Sequence, residues 1–473
     1  MNHLSGLARD QKLLLPEAVE DYVARENPVR FMDAFVSSLY LRQLGFGKAL
    51  PAATGRPPYD PGDLLRLYLY GYLHRIRSSR LLEKECTRNL EVLWLLRTLK
   101  PDFKTIADFR RDNKKPLAAA CREFTWLCRK LDLFGGELLA IDGSKFKAVN
   151  ARDKNFNDQK LRELIANIDA KIGRYLEELD QGDQEQAAPA ALEREELEKK
   201  IAALKERKED YQALEADLGD DHQISTTDPD SRLMHTRQGA EMAYNVQTAV
   251  DSKHKLIVEH EVVNDVTDLN QLANLATAAR ETLGVEKMLV VADMGYYNNA
   301  DVQRCVDNGI TPYLAKADTS ANTKLGLFGK NKFRFDPQRD VYLCPGNQEL
   351  TYRFSTQEKG RELRYYRARG CKACALRSQC TRNKANRTIT REANEVVMDE
   401  MAARVKANPQ MMRLRKAIVE HPFGTMKRAM NAGYFLCKGL GAVRAEMSLT
   451  VLAYNLKRVL NLVSFSKLMA AVA

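Results

Sequence analysis

The sequence has no uninterrupted apolar run long enough to span a bilayer, although 44% of its residues are hydrophobic. A membrane-spanning helix needs about 20 mainly apolar residues, so a membrane protein is not expected. The first residues, MNHLSGLARDQK, also lack the hydrophobic core that a signal peptide requires. We therefore expect a soluble, cytoplasmic protein.

Histidine and tryptophan are scarce. The seven histidines form no HxxxH or similar pair, so the sequence gives no support for a histidine-bound metal centre. His421 is too isolated to suggest catalysis by itself. Both tryptophans, Trp94 and Trp126, lie in the N-terminal third of the chain. Candidate chemistry is therefore sought among the carboxylates and thiols.

The charge balance is basic. The 473 residues include 74 Lys and Arg against 63 Asp and Glu, which gives a formal net charge of +11. Such an excess favours a polyanionic partner, but it does not separate DNA from RNA or from an anionic membrane surface. The length predicts about two to four domains.

Three acidic residues lie in distinctive local sequences. Asp142 in LLAIDGSKFKA and Asp293 in MLVVADMGYYN each follow a short apolar run that predicts a buried strand. Glu420, in KAIVEHPFGTMKR, is flanked by basic residues. An unpaired buried carboxylate is costly, and a hard divalent cation relieves the repulsion between several of them. The pattern therefore predicts Mg²⁺ held next to phosphate.

The order of elements predicts an α/β fold. AYNVQTAVDSKHKLIVEHEVVND reads as a β-hairpin, LNQLANLATAARETLG as an amphipathic helix and EKMLVVAD as a further strand. A turn containing Gly295 then leads into a helix near Ala300. This order is that of an RNase H-like core, a mixed sheet with helices on both faces.

The N-terminal stretch reads as short helices with Arg and Lys on one face. Asp60, Ser78 or Ser79, and Thr105 are the predicted helix caps. A basic helical region suits a helix-turn-helix-like DNA-binding module. A helical bundle that only packs on the core also fits, because a basic face is weak evidence by itself.

Two segments interrupt the predicted core. The first has apolar residues alternately four and three apart from Leu161 to Leu179, which predicts a coiled-coil hairpin acting as a spacer or dimer contact. The second is basic and contains short strands.

Asn408 and Pro409 predict the start of a helix through Glu420, and Pro422 marks either a kink or a new helix. The predicted regions are 1–135 (N-terminal helical DNA-binding), 136–155 and 222–320 (core), 156–221 (hairpin), 321–405 (basic insertion) and 406–473 (C-terminal core with the Glu420 helix).

Four of the nine cysteines lie in the second insertion, namely Cys344, Cys371, Cys374 and Cys380. In a cytosolic chain such cysteines are reduced thiols or metal ligands rather than disulfides. Four thiolates suit a structural zinc ion in a segment without a large core. The spacing is irregular for a zinc ribbon, so unliganded thiols remain the alternative. The other five cysteines fall in helical patterns and are predicted to pack in the core.

Taken together, AIDGSKFKA, ADMGYYN and VEHPFGTMKR resemble the motifs of bacterial insertion-sequence DDE transposases, in the group related to insertion sequences four and five. The three motifs occur in the family's order, with a basic insertion between the second and third. The N-terminal stretch DPGDLLRLYLYGYLHRIRSSRLLEKECTRNLEVLW is also typical of that subfamily. The resemblance therefore covers most of the chain.

The resemblance implies a catalytic, metal-binding triad: Asp142, Asp293 and Glu420. Two Mg²⁺ ions, for which Mn²⁺ can substitute, would clamp the scissile phosphate. It implies that Lys427, with the adjacent Arg428, contacts DNA phosphate. The group often has Tyr and Arg upstream of the Glu, and this chain has Arg413 and Lys416 there instead, so positive charge is kept and the aromatic ring is lost.

The function implied is binding of terminal inverted repeats, strand cleavage and transfer of the ends into target DNA. Two ends must be held together, so a homodimer in a synaptic complex is expected. A stand-alone metal-dependent nuclease on the same core is one alternative. A non-catalytic, domesticated DNA-binding relative is another, against which the intact Asp142, Asp293 and Glu420 argue.

Overall fold

The computed structural model describes most of the chain, namely residues 18–50, 57–150, 154–184, 191–218, 223–236, 239–315, 321–358, 360–392 and 395–473. The N-terminal residues from which the absence of a signal peptide is predicted lie outside this part, as does the loop 185–190 of the predicted hairpin. Among the described residues, no helix combines the length and apolarity needed to cross a membrane.

The N-terminal region is helical, as predicted. After a 3₁₀ turn at Val19–Tyr22, its described part forms α1 (Pro28–Ser38), α2 (Pro61–Leu73), α3 (Ser79–Arg88), α4 (Leu90–Leu95), α5 (Phe103–Asp112) and α6 (Lys114–Lys130). Asp60 and Ser78 are N-caps, which confirms two predicted helix starts. The predicted cap Thr105 is wrong, because Asp102 caps α5 and its carboxylate accepts the Thr105 N–H.

The middle of the chain alternates between strands and helices. Its elements are β1 (Leu138–Lys147), β2 (Asn155–Asn157), α7 (Asp158–Gln184), α8 (Ala191–Ala216), β3 (Gln223–Ser225), β4 (Arg232–Thr236), β5 (Gly239–Asp251), β6 (Ile257–Val263), α9 (Leu272–Leu283), β7 (Met288–Ala292), α10 (Asn299–Asp307) and β8 (Ile310–Leu314).

The main sheet is mixed, which confirms an α/β architecture. Its strands run in the order β4-β5-β1-β7-β8, and β6 pairs with the same edge of β5 as β4 does. β1 is antiparallel to β5 and parallel to β7, and β8 continues parallel to β7. The parallel pairing of β1 aligns Leu138–Ala140 with Leu289–Val291. The carboxyl ends of these two paired segments therefore lie side by side in the sheet.

The region of the predicted second insertion, in its described residues 321–358 and 360–392, contains a separate five-stranded sheet. After α11 (Ala321–Lys324) its elements are β9 (Arg334–Asp336), β10 (Val341–Leu343), β11 (Glu349–Glu358), β12 (Arg361–Ala368), α12 (Arg377–Cys380) and β13 (Thr388–Glu392). The strands follow one another in antiparallel order. They enclose a small core of their own, which consists of Phe333, Tyr342, Leu350, Tyr366, Ala368, Cys371 and Ile389.

The chain then returns to the main body through α13 (Glu395–Ala407), α14 (Gln410–Gly424), a π-helical turn (Thr425–Ala429), α15 (Leu440–Leu462) and α16 (Phe465–Val472). α15 packs on α2, α6 and β6. Buried residues of the N-terminal helices and of the sheet, such as Phe124 and Val290, consequently belong to one hydrophobic core. The N-terminal helices are thus built into the same core as the sheet.

Helices α7 and α8 lie within 156–221, where the sequence predicts a helical hairpin, and they pack against each other. Leu161 and Ile168 of the predicted seam are buried with Phe156 and Tyr211 in a third, separate core. Lys208 of α8 forms an ion pair with Asp169 of α7 at 2.6 Å. The seam residues therefore join the two helices of this hairpin to each other.

A buried carboxylate ties the two ends of the main body together. Glu446 on α15 is 0% exposed, and it accepts hydrogen bonds from the backbone N–H groups of Leu436 and Cys437 at 3.0 and 2.9 Å. Its Oε1 also lies 3.4 Å from a guanidinium nitrogen of Arg77, in the turn between α2 and α3. Arg77 in turn stacks on the ring of Tyr434. Removing this carboxylate would leave the buried Arg77 without its countercharge and two backbone donors without their acceptor.

We predict that Glu446→Ala lowers the free energy of unfolding by about 3 kcal/mol, because breaking a buried ion pair strands its partner. The measurement is thermal or urea unfolding of the purified chain. Glu195→Ala is the control, since Glu195 is 63% exposed and its pair with Lys199 is solvated, so its effect should stay below about 1 kcal/mol. Equal losses in both variants would contradict the anchoring role of Glu446.

Candidate active site

Asp142 and Asp293 lie at the shared edge of β1 and β7. The buried run Leu139–Ile141 precedes Asp142 on β1, and β7 ends at Ala292, directly before Asp293. Asp293 caps the 3₁₀ turn that follows, and its carboxylate accepts the N–H of Gly295 at 2.8 Å. The two apolar runs therefore form the buried strands that the sequence predicts, with a carboxylate beyond each parallel segment.

A third aspartate, Asp268, lies beside them on the connection from β6 to α9. It accepts hydrogen bonds from the side-chain amides of Asn245 and Gln247, both at 2.7 Å, and Lys145 lies 3.4 Å away. The Gln247 amide oxygen accepts a hydrogen bond from the hydroxyl of Tyr296, which is fully buried. β5 thus supplies amides that hold Asp268 in position. Asp268 is not among the site residues that the sequence predicts.

Glycines in both motifs make room for this third carboxylate. A Cβ atom on Gly143 would lie 2.5 Å from an oxygen of Asp268, so the Asp268 side chain would have to move. A Cβ on Gly295 would lie 2.9 Å from an Asp293 oxygen and 3.5 Å from Asp268. Gly143 directly follows Asp142 and Gly295 lies two residues after Asp293, and these glycines are the sequence signal that a further group approaches there.

The cluster changes the acidity of Asp142. Burial raises the pKa of its carboxyl to about 6, and the negative charges of Asp293 and Asp268 act in the same direction. Arg415 of α14 opposes them, with a guanidinium nitrogen 3.4 Å from Asp142 Oδ1. That nitrogen is buried and has no hydrogen-bond partner in the structure. Arg415 is therefore the positive charge that faces Asp142 from the neighbouring helix.

Glu420 lies on α14 but stands apart from this cluster. Its side chain is 63% exposed, and its nearest ionic partner is Lys416, at 3.9 Å. Arg415 and Glu420 are five residues apart, so they project about 140° from each other around the helix. Among the described residues, no three His, Cys, Asp or Glu side chains are close enough to hold a metal ion. The structure brings Asp142 and Asp293 together and leaves Glu420 outside the group.

The donor chemistry of Asp142 and Asp293 fits a hard divalent cation. Both are carboxylates, which Mg²⁺ prefers as ligands, and Arg415 already places a positive charge against Asp142. Glu420, the third predicted ligand, does not fit in its present position, because it points to solvent and pairs with Lys416.

Pro422 neither ends α14 nor starts a new helix. The α-helix begins at Gln410, with Pro409 as its N-cap, so the predicted start at Asn408 and Pro409 lies one residue early. It continues through Pro422 to Gly424 and passes directly into the π-helical turn. Inserted π turns occur mostly as single turns, frequently at functional sites.

The π turn directs Lys427 towards β1. Its ammonium donates to the hydroxyl of Ser144 at 2.6 Å and to the carbonyl of Lys145 at 2.7 Å, and it lies 4.5 Å from the ring centre of Phe146. Lys427 thus contacts β1 at Ser144 and Lys145, just beyond Asp142 on that strand. The other predicted DNA-binding residues, Arg413, Lys416 and Arg428, are exposed.

Two segments of the chain match known families. Residues 17–112 match the family described as "Transposase domain (DUF772)", and residues 343–460 match the "Transposase DDE domain" family. The second match contains Glu420 and Lys427, whereas Asp142 and Asp293 lie outside both. The two descriptions agree with each other and support a DDE transposase, a class of DNA-processing enzyme that generally uses divalent metal ions.

One solved structure resembles the fold at a distance. It is titled "Cryo-EM structure of piggyBac transposase synaptic complex with hairpin DNA (SNHP)", and it is 9% identical in sequence, with a TM-score of 0.32. The alignment covers 94% of this chain and 79% of that one. At this TM-score the likeness carries no structural argument. No curated protein matches the sequence.

The raised pKa of Asp142 has a consequence for stability. Its carboxyl titrates at about 6 in the folded protein, against an ordinary value of 3.8, so the folded state binds this proton more tightly than the unfolded chain. The resulting stabilisation is complete below about pH 4 and is lost as the pH rises through about 6. Between pH 4 and pH 7 the metal-free Asp142→Asn variant should therefore gain about 2 kcal/mol relative to wild type.

The measurement is chemical unfolding of both proteins across this pH range, in the presence of a chelator. Asp132→Asn serves as the control, because the Asp132 side chain is 92% exposed, and its difference from wild type should not change with pH. An unchanging difference for Asp142→Asn, or one of opposite sign, would contradict the predicted pKa.

Proposed function

We propose that the protein is a DNA transposase that binds the terminal inverted repeats of an insertion sequence, cleaves the strands and joins them to target DNA. The observation that carries the proposal is the pair Asp142 and Asp293, which extend from neighbouring parallel strands at one edge of the sheet. The two transposase-domain matches give independent support.

The sheet supports an RNase H-like core for this activity. β1, β5 and β6 form an antiparallel series, after which α9 leads to β7, on the other side of β1 and parallel to it. α10 then leads to the parallel β8, and the strand order is β6-β5-β1-β7-β8. α14 packs on β1 and β7 and carries Glu420 and Arg415. A strand, a hairpin, a helix and a further strand, in this order along the chain and in one mixed sheet, agree with the elements predicted for such a core.

Asp142 and Asp293 are the residues that would hold Mg²⁺, with Glu420 as the third ligand once its side chain turns towards them. When bound, the metal supplies charge neutralisation at the scissile phosphate and activation of the attacking hydroxyl. The chain's own groups prepare the site. Asn245 and Gln247 fix Asp268, and Arg415 offsets the negative charge at Asp142.

Positive charge around the cluster suits the phosphate backbone of DNA. Lys427 lies against β1 next to Ser144, while Arg413, Lys416 and Arg428 offer exposed cations on and after α14. Phosphate contacts of this kind position DNA without reading its sequence. The net charge of +11 over the whole chain also favours binding to DNA. A second copy of the chain would be needed to hold the two ends together.

Strand cleavage should depend on the three carboxylates Asp142, Asp293 and Glu420. Asp142→Asn, Asp293→Asn and Glu420→Gln should each lower strand cleavage by at least about 100-fold, because each removes charge from the site where phosphoryl transfer is stabilised. DNA binding should survive in all three. The substrate is a plasmid that carries the DNA flanking the coding sequence, with Mg²⁺ or Mn²⁺ added, and binding is followed by gel shift.

Asp132→Asn is the matched control and should cleave like wild type. Wild-type cleavage by any of the three carboxylate variants would remove that residue from the catalytic site. A pre-cleaved end, supplied with target DNA, separates transposase from nuclease. Joined products are expected from a transposase, whereas cleavage without any joining would favour the nuclease.

The stability of the metal-free protein should depend on Arg415. Arg415→Met removes the positive charge from the cluster of aspartates, so the metal-free variant should melt about 2 °C or more below wild type at pH 7.5. Added Mg²⁺ should restore most of this loss, since it supplies the missing charge. Arg413→Met, on the exposed side of α14, is the control. A variant of Arg415 that melts like wild type with and without Mg²⁺ would contradict this role.

A further inference from the structure

The four cysteines of the second insertion converge on one small cavity, although they come from separate segments. Cys344 follows β10, Cys371 and Cys374 lie in and directly after a 3₁₀ turn that follows β12, and Cys380 ends α12. All four line the same cavity. A Cβ atom on Gly346 would lie 3.3 Å from the sulfur of Cys374 and 3.8 Å from that of Cys344, so these two sulfurs flank one point.

Backbone N–H groups are directed at two of these sulfurs. The N–H of Gln348 donates to Cys344 Sγ, and the N–H of Arg387 donates to Cys371 Sγ, both at 3.3 Å. Hydrogen bonds of this kind orient ligands around a metal. Two of the four sulfurs are therefore already held in place by the backbone.

A buried cation faces the same cysteines. The side chain of Arg387 is 8% exposed and stacks on the ring of Phe333. Among the described residues no carboxylate pairs with it, and its Nε has no hydrogen-bond partner. Burial lowers the pKa of Arg387, and the nearby Cys380 and Cys371 act against this effect. Its Nη2 donates to the carbonyl of Phe328 at 3.1 Å, which supplies no countercharge. Metal-bound thiolates at the neighbouring cysteines would supply that negative charge.

We propose that Cys344, Cys371, Cys374 and Cys380 bind one structural Zn²⁺ as thiolates. The cluster of four thiolates and Zn²⁺ carries two negative charges, and Arg387 offsets part of them. The described residues contain no three side chains at the spacing of bound-metal ligands, so metal binding would draw the sulfurs inward by rotation of their side chains. The site is separate from the aspartate cluster, and it does not depend on the proposed catalysis.

The ion would fasten a domain that has little core of its own. Seven buried residues make up the interior of the five-stranded insertion, and small domains of this kind usually need a metal or a disulfide. Zn²⁺ at this position would tie the turn between β10 and β11 to the segment between β12 and β13. The zinc ion would then link these two segments at the end of the sheet where all four cysteines lie.

The test is metal analysis of the purified full chain, expressed in medium supplemented with zinc. Wild type should contain about one zinc ion per chain, and Cys344→Ser and Cys374→Ser should each contain close to none. Cys437→Ser is the control, because Cys437 is outside the cluster, and it should retain its zinc. The Asp142→Asn, Asp293→Asn double variant should also retain it, which separates this site from the carboxylates.

A second measurement covers the case in which a serine variant does not fold. Zinc should be released from folded wild type by a mercurial thiol reagent, and a chromogenic chelator detects it. Co²⁺ in place of zinc should give the intense visible and near-ultraviolet absorption of tetrahedral cobalt thiolate. Folded wild type with far less than one zinc per chain, or zinc lost from the aspartate double variant and kept in Cys374→Ser, would overturn the proposal.

Discussion

Negative charge gathered where the parallel pairing of β1 and β7 ends is the constraint on which the rest of the site depends. Asp142, Asp268 and Asp293 repel one another, and burial raises the pKa of Asp142 further. Their arrangement holds because amides of β5 bind Asp268 and Arg415 faces Asp142. A divalent cation would relieve the same repulsion more strongly, which is why this edge of the sheet suits metal-dependent chemistry.

The wider fold serves to place α14 against this edge. α15 packs across the N-terminal helices and β6, and buried Glu446 fastens it to Arg77 and to the backbone at Leu436 and Cys437. These contacts hold the segment between α14 and α15 in place at its C-terminal end, next to α15. The π turn then holds Lys427 on β1. The residues proposed here for catalysis and phosphate binding come from distant parts of the sequence, and these contacts hold them on the same sheet and helix.

Local sequence patterns were sufficient for much of the fold. The apolar runs before Asp142 and Asp293 predict buried strands that the structure contains, and the order of elements predicts the mixed sheet. Contacts between distant segments were not predictable in this way. Asp268 and Arg415 join the cluster through tertiary packing, and nothing in their own local sequence marks them. The glycines at 143 and 295 are the local signal that indicates a close approach there.

The position of Glu420 is the point at which the sequence pattern and the structure diverge. Its spacing to Lys427 suggests a shared helical face, yet the π turn changes that register and the side chain points to solvent. The most direct test is a crystal structure of the chain soaked with Mn²⁺, read by anomalous scattering. We predict a manganese peak about 2 Å from carboxylate oxygens of both Asp142 and Asp293, with Arg415 displaced from Asp142. Manganese bound only elsewhere, with the ion pair between Arg415 and Asp142 intact, would contradict the account.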